Sequence, residues 1–394
     1  MKKKFACLAM AMVMVLSLAA CGGKKEEAPA AAPAESGSDS SVSVFKVGTI
    51  GPLSGDAAIY GQAVANGAKI AVDEINAAGG AIQFELQSQD DEADGEKSVN
   101  AYNTLMDWGM QVMVGPTTTG ASIAVSAQAN ADRTFMLTPS ASSVDVIDGK
   151  DNVFQVCFTD PNQGVASADY ISANMAGAKV AVIYRNDDAY SQGIRDTFVS
   201  EAADKGLEVV YEGTFTADTA TDFYVQLTGA QSAGADTVFL PIYYQPASVI
   251  LNQANAMGYE PTFFGVDGMD GILTMEGFDT SLAEGVMLLT PFSADAEDAR
   301  TQTFVKAYQD QFGETPNQFA ADAYDAVYIY AAALEAAGCT ADMSSADICE
   351  ALVGVMTTIS VDGLTGQGMT WDASGAVSKA PMAVIIENGT YVLP

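Results

Sequence analysis

The chain has 394 residues, with 50 acidic against 17 basic side chains and no histidine, for a net charge of −33. That balance excludes a surface built for nucleic acid or anionic lipid, which needs a basic face to neutralise phosphate. The missing histidine excludes Ser-His-Asp and Cys-His catalysis and histidine-based metal sites.

In chain order, Lys2, Lys3 and Lys4 form a basic start before the apolar run Phe5 to Leu18, which is too short and wrongly flanked for a stable membrane span. The following Leu18-Ala19-Ala20-Cys21-Gly22 resembles a bacterial lipobox. The resemblance implies that residues 1–20 are a lipoprotein signal peptide and that Cys21 becomes a diacylated N-terminus. Two acyl chains anchor a protein where one does not. Loss of Lys2, Lys3 and Lys4 takes the charge from −33 to −36. Residues 21–43 carry this cysteine and then almost nothing to bury, and read as a flexible tether. The folded part is expected from Val44, and no later run is apolar and long enough to span a membrane.

Strands and helices then alternate. Phe45 to Ile50 reads as a strand, and Gly61 to Ala78 has helical apolar spacing that stops at Gly79-Gly80. Strand Phe84 to Gln87, an acidic loop and helix Lys97 to Asp107 follow. Strand Val112 to Val114 breaks at Gly115-Pro116 into Thr117-Thr118-Thr119. Helix Ser122 to Asp132 leads to strand Phe135 to Leu137, closed by Pro139-Ser140-Ala141-Ser142. This βαβαβαβ order predicts a doubly wound parallel sheet with right-handed crossovers. Ligands collect outside the carboxyl ends of such strands, so the two hydroxyl clusters predict half of an anion or zwitterion pocket.

A second lobe of shared architecture begins near Lys179. Lys179 to Ile183 echoes Lys46 to Ile50, Tyr190-Ser191-Gln192 echoes Tyr60-Gly61-Gln62, and Thr237 to Leu240 before Pro241 echoes Val112 to Gly115 before Pro116. Leu207 to Val210 and Thr262-Phe263 supply the other strands. Strand Val286 to Thr290 follows, with helices at Glu297 to Phe312, Gln318 to Ala337 and Ser345 to Met356. A β segment through Met369 to Trp371, Ala383 to Glu387 and Tyr391 to Leu393 closes the chain.

Other readings fail on particular residues. Gly115 to Gly120 lacks the lysine of a nucleotide loop. The Asp90-Asp91-Glu92-Ala93-Asp94-Gly95 run fails as a calcium loop because its twelfth position, Ala101, offers no carboxylate. No carboxylate spacing singles out a glycosidase pair. The chain is expected to be no enzyme and to need no cofactor or metal. Cys339 and Cys349 are close enough in sequence for a local disulfide, while Cys157 reads as a small buried residue.

Taken in order, Lys46 to Gly55, Tyr60-Gly61, Asn66-Gly67-Ala68, Ile75 to Gly80, Asp90-Asp91, Gly115-Pro116-Thr117 and Thr138 to Ala141 resemble the type I periplasmic binding proteins. Within these they resemble the leucine/isoleucine/valine-binding branch that serves ABC importers. The resemblance spans Val44 to Pro394. It implies an α/β fold of two doubly wound parallel-sheet lobes around a ligand cleft that closes by a hinge. Three crossovers are expected near Thr159, Thr290 and Val361. Lobe 1 would be 44–159 plus 291–361, and lobe 2 would be 160–290 plus 362–394.

Residue by residue, the resemblance places a ligand carboxylate at Gly115 to Gly120 with Thr119 as the main hydroxyl, a role that a helix N-terminus also favours. Capping of that helix is the plainer use of the same hydroxyls. The ligand ammonium falls to Asp267, the Ser140 carbonyl and the Ser142 hydroxyl, with Ala141 between them. A desolvated ammonium needs such acceptors. Asp267 could instead be only a turn residue before Gly268. Tyr60, Tyr190 and Tyr243 match cleft positions, where rings cover an apolar side chain and phenols can hydrogen-bond. Tyr244 is expected to point elsewhere by strand alternation. The implied function is an extracytoplasmic, lipid-anchored, monomeric solute-binding protein. It would capture a small aliphatic amino acid and deliver it to an ABC permease. The alternatives are a binder of another small polar or amide-like solute and a sensory module.

Overall fold

The computed structural model describes residues 43–393. The signal segment, Cys7, Cys21 and the tether before Ser43 lie outside the described residues.

The first lobe begins with β1 (Ser43–Gly51), α1 (Ala58–Ala78), β2 (Ile82–Asp90), α2 (Gly95–Trp108), β3 (Val112–Val114), α3 (Thr119–Asp132), β4 (Phe135–Thr138) and β5 (Val153–Gln155). All pairings in its sheet are parallel, in the order β2-β1-β3-β4-β5. Helices cover both faces, so β1, β3 and β4 are apolar on both sides: Phe45, Val47, Val112, Met113, Val114, Met136 and Leu137 are all fully buried. The helices start and stop where the side chains dictate. Asp94 caps α2 by accepting the Lys97 N–H at 2.9 Å, and Gly79 and Gly109 end α1 and α2 in the left-handed region.

The chain then enters the second lobe through α4 (Asp160–Asn174), β6 (Lys179–Arg185), α5 (Ala189–Lys205), β7 (Glu208–Phe215), α6 (Tyr224–Ser232), β8 (Thr237–Leu240), α7 (Tyr244–Met257), β9 (Thr262–Gly265) and β10 (Met287–Thr290). The run β7-β6-β8-β9-β10 repeats the strand order of the first sheet. The echo heard between Lys46 and Lys179 is thus an architectural one.

Three further helices, α8 (Ala299–Phe312), α9 (Gln318–Ala337) and α10 (Ser345–Met356), return to the first lobe. Helix α9 lies so close to α1 that a Cβ on Gly67 would fall 2.0 Å from the Ala320 carbonyl oxygen. This contact is what the Asn66-Gly67-Ala68 motif serves. Strands β11 (Met382–Glu387) and β12 (Thr390–Val392) complete the second sheet as its antiparallel edge. Among the described residues, no helix is long and apolar enough to cross a membrane.

Three departures from the sequence reading have physical causes. Helices α4, α6 and α7 and strand β5 are additional to the sequence reading; β5 has only 3 residues and α6 buries only Leu227 and Ala230. The return to the second lobe, expected near Val361, comes later. Val361 bridges Met369 and Trp371 bridges Val377. The buried Trp371 indole donates to the Gln155 carbonyl at 2.8 Å, and Gln155 N–H donates to the Gly375 carbonyl at 2.9 Å. Burial of this indole keeps the segment along β5, and the second sheet is rejoined only at Met382. Finally, Cys339 and Cys349 are free thiols. Cys339 follows the Gly338 end of α9, whereas Cys349 lies on the face of α10 that turns inward toward β4 and Asn152.

Candidate ligand-binding cleft

The carboxyl ends of both sheets meet in one cleft. In the first lobe, β3 runs into Gly115-Pro116 and the start of α3. Gly115 has φ +125°, and a Cβ there would lie 2.6 Å from the Ile50 carbonyl, so glycine is required where the loop turns away from β1. The loop is held by its own hydroxyls. Thr138 and Ser122 both donate to the Pro116 carbonyl at 2.8 Å, Ser140 donates to the Thr117 carbonyl at 2.6 Å, and Thr117 donates to the Ile50 carbonyl at 3.2 Å.

Thr118 and Thr119 differ from these. Thr118 is the N-cap residue of α3 but makes no side-chain cap bond, and the hydroxyls of both residues are buried without a partner. Capping therefore does not account for them. They sit beside the first N–H groups of α3, which have no intrahelical acceptor. Unspent hydroxyls at the positive end of a helix suit an anion.

The opposite wall comes from the second lobe. Asp267 is 2 % exposed and follows β9. Its Oδ1 accepts the Tyr190 hydroxyl at 2.5 Å, and its backbone N–H donates to Gln163 Oε1 at 3.1 Å. Burial raises its carboxyl to about 6, against the pull of the Tyr190 and Gln163 hydrogen bonds. A second acid, Asp160, does not line the cavity; it is 1 % exposed and has no hydrogen-bond partner for either carboxyl oxygen. Burial pushes its carboxyl well above the usual range, the nearby Ser142 hydroxyl opposes this, and the charge of Asp267 adds to it. Neither acid forms an ion pair with a basic side chain among the described residues. Of the two, only Asp267 faces the cavity, and a buried acid there without a basic partner favours a cationic guest.

Between the walls lies a cavity of about 10 Å³ lined by Tyr60, Thr119, Ser140, Tyr190, Tyr243 and Asp267 together with Phe319, close to the smallest space that holds one water molecule. It opens past Thr118 and Tyr243 into an outer cleft of about 510 Å³. Six of the expected residues thus share one cavity. Ala141 and Ser142 lie behind it. The Ala141 carbonyl is taken by Gln155 Nε2 at 2.8 Å, and the fully buried Ser142 hydroxyl accepts from Gln163 Nε2 at 3.4 Å.

The tyrosines divide their duties. The Tyr60 hydroxyl donates to the Gly268 carbonyl and accepts the Tyr244 N–H at 3.2 Å, so its ring, not its phenol, faces the cavity. The Tyr190 hydroxyl is spent on Asp267 and on the Gly268 N–H at 3.0 Å. Tyr244 does point away from the cavity, for a different reason than expected: it opens α7 and does not alternate along a strand.

Asp160, Gln163 and Phe319 were missed by sequence reasoning. Thr159-Asp160-Pro161 reads as an ordinary helix start, and Thr159 does accept the Asn162 N–H at 3.4 Å. Phe319 lies in the first turn of a helix that otherwise packs in the core.

Known proteins share this fold. The periplasmic binding protein family matches residues 44–390. A Leu/Ile/Val-binding protein homolog from Brucella melitensis is 32% identical over 78% of this chain and 82% of its own length. The branched-chain amino acid transporter substrate-binding protein LivJ from Streptococcus pneumoniae, solved in complex with isoleucine, superposes with a TM-score of 0.79 at 31% identity, over 88% of this chain and 97% of that one. The leucine-binding protein LivK from Thermotoga maritima has the same TM-score at 26% identity, over 89% and 97%. A family match over almost the whole described chain, with two lobes wound in the same order about one cleft, makes this chain a type I periplasmic binding protein of the leucine/isoleucine/valine-binding branch.

Proposed function

We propose that the protein captures a small α-amino acid, with an aliphatic side chain, and presents it to an ABC permease. The observation that carries this reading is the pairing of opposite needs across one cleft. The second-lobe wall holds the buried Asp267 carboxyl, with no basic partner among the described residues, and the first-lobe wall holds the unspent hydroxyls of Thr118 and Thr119 at a helix N-terminus. An α-amino acid carries both complementary charges on adjacent atoms. Asp267 takes the ammonium with the Ser140 carbonyl beside it, Thr119 and the α3 N–H groups take the carboxylate, and the rings of Tyr60, Tyr243 and Phe319 cover the side chain. The amino-acid ligands of the relatives support the same assignment.

The family acts outside the cytoplasm. The finer placement rests on the sequence: Lys2 to Leu18 exports the chain and Cys21 anchors it as a monomer on a tether. Protein stripped of bound solute should melt at a higher temperature with L-leucine, L-isoleucine or L-valine, because a ligand of the folded state stabilises it. No shift with any common amino acid would refute the reading. Metabolic labelling with a radioactive fatty acid, lost in Cys21→Ser, tests the anchor.

A further inference from the structure

Tyr60 and Tyr244 come from opposite lobes, and each reaches the other lobe's backbone. Tyr60, in the first turn of α1, donates its hydroxyl to the Gly268 carbonyl of the second lobe. The same oxygen accepts the Tyr244 N–H at 3.2 Å. That N–H is a free donor at the start of α7, whose own N-cap residue, Tyr243, makes no side-chain cap bond. A first-lobe phenol therefore caps a second-lobe helix. In return, Tyr244 sends its hydroxyl to the Asp56 carbonyl of the first lobe at 2.7 Å. The two rings meet edge to face, with centroids 5.0 Å apart and planes at 85°, a favoured aromatic geometry. Both residues are at least 96 % buried.

We propose that Tyr60 and Tyr244 form a reciprocal clasp that holds the closed cleft from the protein's own side, with Tyr244 acting as a positioning residue that touches no ligand. All three hydrogen bonds join protein to protein, although Tyr60 and Gly268 also line the cavity, so the clasp favours closure whichever solute is bound. A hinge protein's apparent affinity scales with the population of its binding-competent state. The clasp raises that population, and its loss acts first on closure. It also fixes the Tyr60 ring against Phe319, with centroids 4.6 Å apart, and so sets the position of the cavity's apolar wall.

Tyr244→Phe removes the hydroxyl bond to Asp56 and keeps the ring. Hydrogen–deuterium exchange on the full chain without added solute should show faster exchange in residues 117–120 and 267–270, on both cleft walls. The expected factor is about three- to tenfold, the effect of one hydrogen bond of ordinary net strength. For L-isoleucine, koff should rise by about the same factor with little change in kon, as is usual for loss of a closing contact. A purely local role would quicken exchange only around α7. Unchanged exchange in both cleft segments overturns the clasp. Tyr60→Phe, which removes the donor to Gly268, should open the same two segments. The exchange arm uses no ligand, so it stands or falls separately from the amino-acid assignment.

Discussion

The Tyr190 hydroxyl donates to Oδ1 of Asp267 at 2.5 Å while accepting the Gly268 N–H at 3.0 Å. One phenol thereby fixes the carboxylate on the floor of the cleft and the backbone that carries it. The ring also stacks on Tyr243, with centroids 4.9 Å apart, so the aromatic wall and the acid move as one piece.

Asp267→Ala removes the acceptor proposed for the ligand ammonium. Affinity for an aliphatic amino acid should fall by about 2–5 kcal/mol, the scale for truncating one partner of a buried charge pair, while circular dichroism stays that of the wild type. Tyr190→Phe leaves the acid but frees it, and should cost about 0.5–1.5 kcal/mol. Unchanged affinity in Asp267→Ala would remove Asp267 from the ammonium site.

Asp160→Asn tests the acid that sequence reasoning missed. The carboxyl is 1 % exposed, unpartnered and held well above the usual carboxylate range by burial, so Asp160→Asn replaces one neutral group with another and the melting temperature near pH 7 should change little. Amino-acid affinity should also change little, because Asp160 does not line the cavity. A large loss of affinity would show that Asp160 reaches the ligand.

The pH dependence follows from Asp267, whose carboxyl is raised from 3.8 to about 6 by burial. A raised carboxyl means that folding favours the protonated form. The unliganded protein is therefore most stabilised by this group below the ordinary carboxylate range, and that contribution is lost as pH rises through about 6. Ligand binding needs the ionised form, so affinity should run the opposite way, high above pH 6 and falling as pH drops below it. Titration calorimetry across this range should also show proton release on binding below pH 6. A flat profile from pH 7 to 5 would contradict it.

Much of this was legible in the residues. Parallel strands buried on both faces are continuous apolar runs, so β1, β3, β4 and β8 stood out. Both hydroxyl clusters lie where a doubly wound fold puts its ligands. Partnering was not legible. Nothing in Thr117-Thr118-Thr119 says that the first hydroxyl is spent on Ile50 and the next two are not. Nothing in Tyr60 says that its phenol is taken by Gly268. Asp160 was hidden because a helix start explains an acid equally well. The lag in the last crossover depends on Trp371 finding the Gln155 carbonyl, a contact 216 residues away in sequence.

Below the cleft, Lys379 Nζ lies 2.5 Å from Asp322 Oδ1 and 2.6 Å from Thr365 Oγ1, with both charged side chains 2 % exposed. This pair ties the root of the last crossover to α9. Lys379→Met should destabilise the protein by about 3–5 kcal/mol in urea unfolding, because it strands a buried carboxylate. The double variant with Asp322→Leu should recover part of the loss. Equal stability of both variants would show that the pair is not coupled.

The central claim is that the cleft between the lobes binds an α-amino acid by its two charges. Isothermal titration of solute-stripped protein with L-isoleucine, alongside its decarboxylated amine and its deaminated acid, tests this most directly. The account predicts saturable one-to-one binding of the amino acid and at least tenfold weaker binding of each singly charged relative, since each leaves a buried group unpaired. Binding of the amine or the acid as tightly as the amino acid would contradict it.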